Sequence, residues 1–168
     1  MTTTPMAVLT FVLALLVVAL APSASALEDA AAGAATAPPT SGQKLRIPAS
    51  VQATAEIGVV VRVKEIIVDE DVTLVTVSAS YSGRFDAVRL AWAHSPTYLE
   101  DADGQRYPLQ RPDDNPWLDI ENNKTMQGQL VFIGRISAQS RQVRLVFNEG
   151  NEGDTHLGPG LSLTIPLS

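Results

Sequence analysis

The stretch Met126-Gln-Gly-Gln-Leu-Val-Phe-Ile-Gly-Arg-Ile136 decides the fold, because large apolar residues recur in it at even-numbered positions. Residues 143–147 and 161–167 repeat this alternation. The apolar members are Met126, Leu130, Phe132 and Ile136, then Val143, Leu145 and Phe147, and finally Leu161, Leu163, Ile165 and Leu167. Successive side chains of a strand point to opposite faces, so a period of two predicts one buried face. The three segments therefore predict antiparallel strands that share a core.

Upstream of this stretch, β-branched runs alternate with short turns. Residues 57–68 and 72–81 predict a hairpin, and its first strand breaks phase at Glu65, which indicates a β-bulge. Residues 98–109 predict a second hairpin, whose turn contains the pair Asp103-Gly104. Seven to nine short strands at these spacings, with no amphipathic helix, indicate an all-β antiparallel sandwich of two sheets.

One further strand is predicted from the alternation of Val88, Leu90 and Trp92. Its apolar neighbours favour a core position for Trp92, between the two sheets.

The first part of the chain predicts export. Residues 7–20 form an apolar run broken only by Thr10, and Ala24-Ser25-Ala26 suits signal peptidase, so residues 1–26 are interpreted as a signal peptide. The run is short for a membrane span, although an uncleaved anchor stays an alternative. Residues 27–43 are rich in Ala and Pro and predict a disordered linker. Residues 44–168 then form one β-sandwich domain.

Composition narrows the function classes. The chain has 18 acidic and 12 basic residues, a net charge of −6, and no cysteine. A nucleic-acid binder needs a basic surface, so nucleic acid is not an expected partner. Without cysteine there is no lipid anchor, no thiol catalysis and no thiolate metal site. We expect a secreted or periplasmic protein, soluble after signal cleavage.

Acidic loops are the candidate metal site. Counting strands up and down places the turns near Gly83 and over 101–104, 121–124 and 148–160 at one end of the sandwich. The carboxylates of interest there are Asp101, Asp103, Glu149 and Asp154. The sequence requires no cofactor, and loops that are polar for solubility alone are the favoured interpretation. The alternative is a site for a hard cation such as calcium, or for a basic partner surface, since pooled carboxylates suit both.

The loop 110–117 supplies the candidate binding residues. Trp117 follows Asp113 and Asp114 in a Pro-rich and Asp-rich segment, at the opposite end by the same count. An exposed tryptophan suits a contact anchor, and a tryptophan that caps the core is the alternative.

The run Tyr98–Tyr107, followed by Gly128–Phe132 and Val143–Phe147, resembles the small immunoglobulin-like domains of unknown function in bacterial secreted proteins and lipoproteins. The resemblance covers roughly residues 56–167 and rests on turns and core positions. It implies an immunoglobulin-like antiparallel β-sandwich and carries over no catalytic residue. Such domains often have a lipidated cysteine, which this chain lacks.

These observations favour a non-enzymatic binding module that contacts an extracellular or envelope protein, or another envelope component. No Gly-x-Ser-x-Gly motif occurs, and the two histidines are too few for a zinc site without carboxylates beside them. A metal-assisted or glycan-acting enzyme and a structural envelope protein remain the alternatives.

Overall fold

The computed structural model describes residues 42–137 and 139–168. The predicted signal peptide, and the predicted linker up to residue 41, lie outside the described residues. In the part that is described, the chain forms strands without any helix, so no helix there is long and apolar enough to cross a membrane.

The described residues form eleven strands, which confirms the all-β prediction but exceeds the predicted seven to nine. Their bounds are β1 Gln43–Leu45, β2 Gln52–Ala55, β3 Val59–Val68, β4 Val72–Tyr81, β5 Ala87–Arg89, β6 Tyr98–Asp101, β7 Arg106–Gln110, β8 Asp119–Glu121, β9 Lys124–Ile133, β10 Gln142–Phe147 and β11 Leu161–Pro166. The excess comes from short strands such as β2, which alternation over three or four residues cannot indicate.

Nine of these strands form one antiparallel sheet that curls on itself. The order is β1-β3-β4-β9-β7-β6-β10-β11, and β2 also pairs with β3. Strand β7 makes the bend, because it pairs with β6 over residues 106–108 and with β9 only through Leu109 and Gln110. The two remaining strands, β5 and β8, pair with each other as a small second sheet.

The core lies inside the curl and follows the predicted alternation. In β9, β10 and β11 the buried alternating residues are Leu130, Phe132, Val143, Leu145, Phe147, Leu163 and Ile165. Burial in β3 shifts from odd to even positions, from Val63 to Ile66. The register shift between Val63 and Glu65 confirms the predicted bulge, since one extra residue restores the apolar face.

The predicted hairpins and turns are largely confirmed. Strands β3 and β4 pair directly, as do β6 and β7. Gly104 has φ +80° in the turn between β6 and β7, and an added Cβ would meet no atom within 4 Å. The glycine is therefore required there by backbone conformation rather than by space.

The predicted strand through Trp92 is wrong in its extent. Strand β5 ends at Arg89, and Trp92 lies half-buried in the loop that follows. Val88 and Leu90 are fully buried, so the alternation holds for two positions and then fails. The chain leaves the small sheet before the third position, which puts Trp92 at the surface instead of between the sheets.

Candidate functional site

The structure brings the two tryptophans of the chain together. The ring centroids of Trp92 and Trp117 lie 6.3 Å apart with an interplanar angle of 48°, and both side chains are half-buried. We call these two residues the tryptophan pair. Two large aromatic side chains therefore pack together at the surface of the protein.

The small sheet sets the spacing of the tryptophan pair. Beyond the ladder of β5 and β8, the N–H of Leu90 donates to the carbonyl of Leu118 at 3.2 Å. The N–H of Ala91 donates to the carbonyl of Trp117 at 3.0 Å. These bonds continue the pairing of the two segments beyond the ladder. Trp92, which follows Ala91, therefore emerges beside Trp117.

Asn148, which is distant from Trp92 in the sequence, fixes the loop of Trp92 by hydrogen bonds. It is fully buried, with φ +49°. Its side-chain oxygen accepts a 2.7 Å bond from the N–H of Trp92, and its side-chain nitrogen donates to the carbonyls of Arg89 and Pro159 at 3.1 Å. Three polar groups of two loops are thereby satisfied by one amide.

A second asparagine strengthens the same junction. The side-chain oxygen of Asn151 accepts a bond from the Ser95 hydroxyl at 3.0 Å, and its nitrogen donates to the carbonyl of Gly158 at 2.7 Å. Gly158 has φ +136°, and a Cβ there would lie 2.8 Å from the Trp92 Cβ. The loop after β10 therefore packs against the Cβ of Trp92 with no room for a side chain at residue 158.

Each indole of the tryptophan pair lies under a guanidinium group. The Cζ of Arg89 is 5.4 Å from the Trp92 ring centroid, and that of Arg111 is 4.4 Å from the Trp117 centroid. Arg111 also donates to the carbonyl of Trp92 at 3.2 Å, so it contacts both tryptophans. Such contacts add cation–π attraction and restrain the guanidinium groups.

The two histidines also lie on aromatic rings. His94 meets the edge of Trp92 with centroids 5.7 Å apart, and His156 stacks on Phe85 at 4.4 Å. Each histidine thus has its own aromatic partner, and the geometry gives no shared metal site. Sequence alone could not pair them with these rings, since both pairings depend on where loops meet.

A groove runs beside the tryptophan pair. It has a volume of about 320 Å³. Its lining residues are Ala91, Ala93, His94, Ser95, Pro96, Thr97, Pro108, Leu109 and Arg111. Most of this lining is small or apolar, and the two residues with a cationic form, His94 and Arg111, are exposed.

The predicted binding residues fall partly at this surface. Trp117 is half-buried next to Trp92, while Asp113 and Asp114 are exposed in the loop that leads to it. The predicted placement of this loop, at the opposite end from residues 148–160, is wrong. Trp117 lies by Trp92, and the N–H of Trp92 is bonded to Asn148 just after β10, so the two loops lie at the same end. The strand count failed because β5 and β8 lie in a separate sheet and do not alternate with the others.

The predicted acidic end is also wrong in one part. Asp101 pairs with Val143 near the start of β10, whereas Glu149 follows the end of that strand. The turn 101–104 therefore lies at the opposite end from the loop 148–160. Asp154 lies with Glu56 and Arg84 around another hollow. Within residues 42–137 and 139–168, no three His, Asp or Glu residues are grouped to hold a metal ion.

Both carboxylate oxygens of Asp101 accept hydrogen bonds within its own hairpin. One carboxylate oxygen accepts bonds from the N–H groups of Asp103 and Gln105 at 3.0 and 2.9 Å. The other accepts the Tyr107 hydroxyl at 2.8 Å. Burial raises the pKa of Tyr107 to about 12, and this hydrogen bond contributes in the same direction. Asp101 thus stabilises the hairpin.

Glu149 belongs to an ion-pair network over β6 and β7. It accepts two bonds from Arg106, at 2.9 and 2.8 Å, and one from the Tyr98 hydroxyl at 2.6 Å. These hydrogen bonds lower the pKa of Glu149, and the bond from the Tyr98 hydroxyl has the largest effect. Burial raises the pKa of Tyr98 to about 12, with the Glu149 hydrogen bond as the second cause. The predicted calcium site therefore has no support in the geometry of the described carboxylates.

The sequence did not indicate two residues on which this surface depends. Arg111 is the residue before Pro112, and Asn148 follows the last apolar position of β10. The local signal for Asn148 is its residue type, because asparagine adopts the αL conformation more readily than most residues. No family model, no curated protein and no solved structure matches this chain.

Proposed function

We propose that this chain is an exported, non-enzymatic binding module whose contact surface is the tryptophan pair with Arg111. The observation that carries the proposal is the contact of two half-buried indoles, each beneath a guanidinium group, on a surface held by a buried asparagine. Tryptophan and arginine are the residues that most often dominate binding energy at protein interfaces.

A protein partner fits this surface better than a glycan does. Sugars stack on open aromatic faces, but Arg89 and Arg111 already lie over the two indoles. The 48° angle between the rings also denies a flat platform. Guanidinium groups fixed on aromatic rings suit carboxylates and backbone carbonyls of a protein instead. The partner is therefore inferred to be an extracellular or envelope protein.

The strand order supports an immunoglobulin-like sandwich as the scaffold. Strands β3, β4 and β9 neighbour one another, and β7, β6, β10 and β11 form the other side of the curl. The chain crosses between these sides after β4 and again after β9, as an immunoglobulin domain does between its strands B and C and its strands E and F. In that fold, end loops serve as binding surfaces.

Export gives the module its place of action. The predicted signal peptide, residues 1–26, and linker would release the domain into the periplasm or the medium without a lipid anchor. Protein recovered outside the cytoplasm should begin at Leu27 by intact mass. A mass that still includes residues 1–26 would contradict cleavage.

The binding surface is tested by capture of partners from envelope and extracellular fractions. The full chain, Trp117→Ala and Ile133→Ser are compared as baits, after far-ultraviolet spectra have shown that each is folded. Ile133 is a matched control because it is a large apolar residue, 54% exposed, on β9. We expect Trp117→Ala to lose the proteins that the unaltered chain and Ile133→Ser retain. Equal capture by all three baits would reject this surface.

A further inference from the structure

One arginine of the contact surface has no carboxylate partner in the part of the chain that the structure describes. Arg111 directly follows β7, is exposed, and forms no ion pair within residues 42–137 and 139–168. Asp113 and Asp114 come two and three residues later, yet neither is within ion-pair distance of it. Its charge is therefore not neutralised by the described part of the chain.

Neighbouring arginines differ in this respect. Arg89 pairs with Asp119 at 3.0 Å across the small sheet. Arg106 pairs with Glu100 and Glu149, and Arg144 pairs with Glu100. Each of these guanidinium groups already has an acidic partner, so Arg111 is the exception around this surface.

The Arg111 guanidinium is nevertheless held in place. It lies 4.4 Å from the Trp117 ring centroid and donates one hydrogen bond to the Trp92 carbonyl at 3.2 Å. A guanidinium carries five N–H donors in a fixed planar fork. The remaining donors make no hydrogen bond to a described residue, so an oriented cation is left with unused donors.

This cation lies on the rim of the groove beside the tryptophan pair. The groove volume of about 320 Å³ is near the lower limit for ligand pockets, which start at about 300 Å³. Its lining contributes apolar surface from Ala93, Pro108 and Leu109, and the exposed imidazole of His94. A small apolar hollow with one oriented cation matches a short ligand that ends in a negative charge.

We propose that this groove binds an acidic side chain, Asp or Glu, of an extended peptide segment in the partner protein. The inference rests on the proposed function and names the chemistry that the partner must present. The carboxylate accepts two hydrogen bonds from donors of Arg111 that the Trp92 carbonyl leaves unused. Small apolar neighbours of that acid fill the hollow along Pro108 and Leu109. Charge complementarity with an arginine that forms no ion pair with a described residue is the argument for this occupant.

The test is a titration of the full chain followed by its amide NMR signals. The probes are the peptide acetyl-Ala-Pro-Glu-Ala-Pro-amide, the same peptide with Gln in place of Glu, and acetate. With the Glu peptide, we expect saturable shifts at Ala93, Thr97 and Leu109. The Gln peptide should bind about tenfold more weakly, the loss expected for one charge-assisted pair.

Three variants assign that preference to Arg111. Arg111→Gln should bind both peptides equally, and Arg111→Lys, which keeps the charge without the fork, should regain only part of the preference. Arg141→Gln is the matched control. It makes the same change of charge at an exposed arginine that forms no ion pair with a described residue, and it should behave like the unaltered chain.

Several results would overturn the proposal. These are equal affinity of the unaltered chain for the two peptides, shifts located away from the groove, or an undiminished preference in Arg111→Gln. Acetate binding as tightly as the peptide at the same residues would make the ligand a small carboxylic acid instead. If the peptide titration fails while Trp117→Ala still loses its partner in the capture experiment, only the groove proposal is rejected. If Trp117→Ala still captures the partner, the proposed function is rejected.

Discussion

The backbone N–H of Trp92 donates a 2.7 Å hydrogen bond to the side-chain oxygen of Asn148, 56 residues later in the chain. Asn148 is fully buried and lies outside the contact surface that it supports. The same amide also binds the carbonyls of Arg89 and Pro159. The position of the tryptophan pair therefore depends on a residue that no partner would touch.

Asn148→Gly should destabilise the protein by about 3 kcal/mol, because three buried or partly buried backbone groups lose their partner. Glycine keeps the positive φ, so the loss isolates the side-chain bonds. The matched control is Asn123→Gly, since Asn123 also has a positive φ of 59° but is exposed, and its side chain accepts only a hydroxyl bond from Ser82. Urea unfolding of the two variants measures the difference. Similar losses at both sites would contradict the role given to Asn148.

Trp92→Ala should cost less than a core substitution, since the Trp92 side chain is only half-buried. We expect a loss below about 2 kcal/mol, against about 3–5 kcal/mol for Phe132→Ala, whose side chain is fully buried in β9. Chemical denaturation compares the two. A loss for Trp92→Ala as large as that for Phe132→Ala would place the indole in the core after all.

Alkaline pH should destabilise the protein through two tyrosines. Burial raises the pKa values of Tyr98 and Tyr107 to about 12, above the ordinary value of 10.0. Because the folded pKa lies above the unfolded one, the stability that these groups contribute is complete below pH 10 and is lost as pH rises towards about 12. The unfolding midpoint in urea should therefore fall over this range, less steeply in Tyr98→Phe and in Tyr107→Phe. Tyrosinate absorbance that is complete near pH 10 in the folded protein would contradict the prediction.

Acid should weaken the ion-pair network on β6 and β7. Hydrogen bonds from Tyr98 and Arg106 lower the pKa of Glu149 below its ordinary 4.5. Since the folded pKa is the lower one, the contribution of Glu149 is present above pH 4.5 and is lost as pH falls through the folded pKa. Stability measured against pH should decline less in Glu149→Gln. Glu152→Gln, at an exposed carboxylate with no ion pair among the described residues, should follow the unaltered chain. Identical profiles for both variants would dismiss the network as a source of acid sensitivity.

Calcium should leave the stability unchanged. Asp101 is bonded within its own turn, and Glu149 is paired with Arg106. A cation at 100 times its dissociation constant would add about 2.7 kcal/mol, a shift that thermal unfolding detects easily. We expect superimposable curves with millimolar calcium and with a chelator. A higher melting temperature in calcium would restore the metal site predicted from the acidic loops.

Sequence patterns succeeded where the physical cause is local. Alternation in β9, β10 and β11 reflects burial of every second side chain, and the bulge after Val63 follows from one extra residue in that pattern. The turn at Gly104 follows from the freedom of glycine at positive φ. The same reasoning misplaced Trp92, because alternation over Val88 and Leu90 does not reveal where a strand stops.

The contact surface could not be predicted, because its parts come from separate segments. Alternation tells which side chains face a core, but it does not tell which strands become neighbours or at which end a loop emerges. Trp117 meets Trp92 because β5 and β8 form a small sheet of their own. Arg111 meets both because β7 ends beside them.

By itself the sequence determined an acidic, cysteine-free, all-β chain with its buried faces, since composition and side-chain period are local properties. Only the tertiary structure decided that two tryptophans, Arg111 and a groove share a surface, because hydrogen bonds between segments distant along the chain bring those loops together.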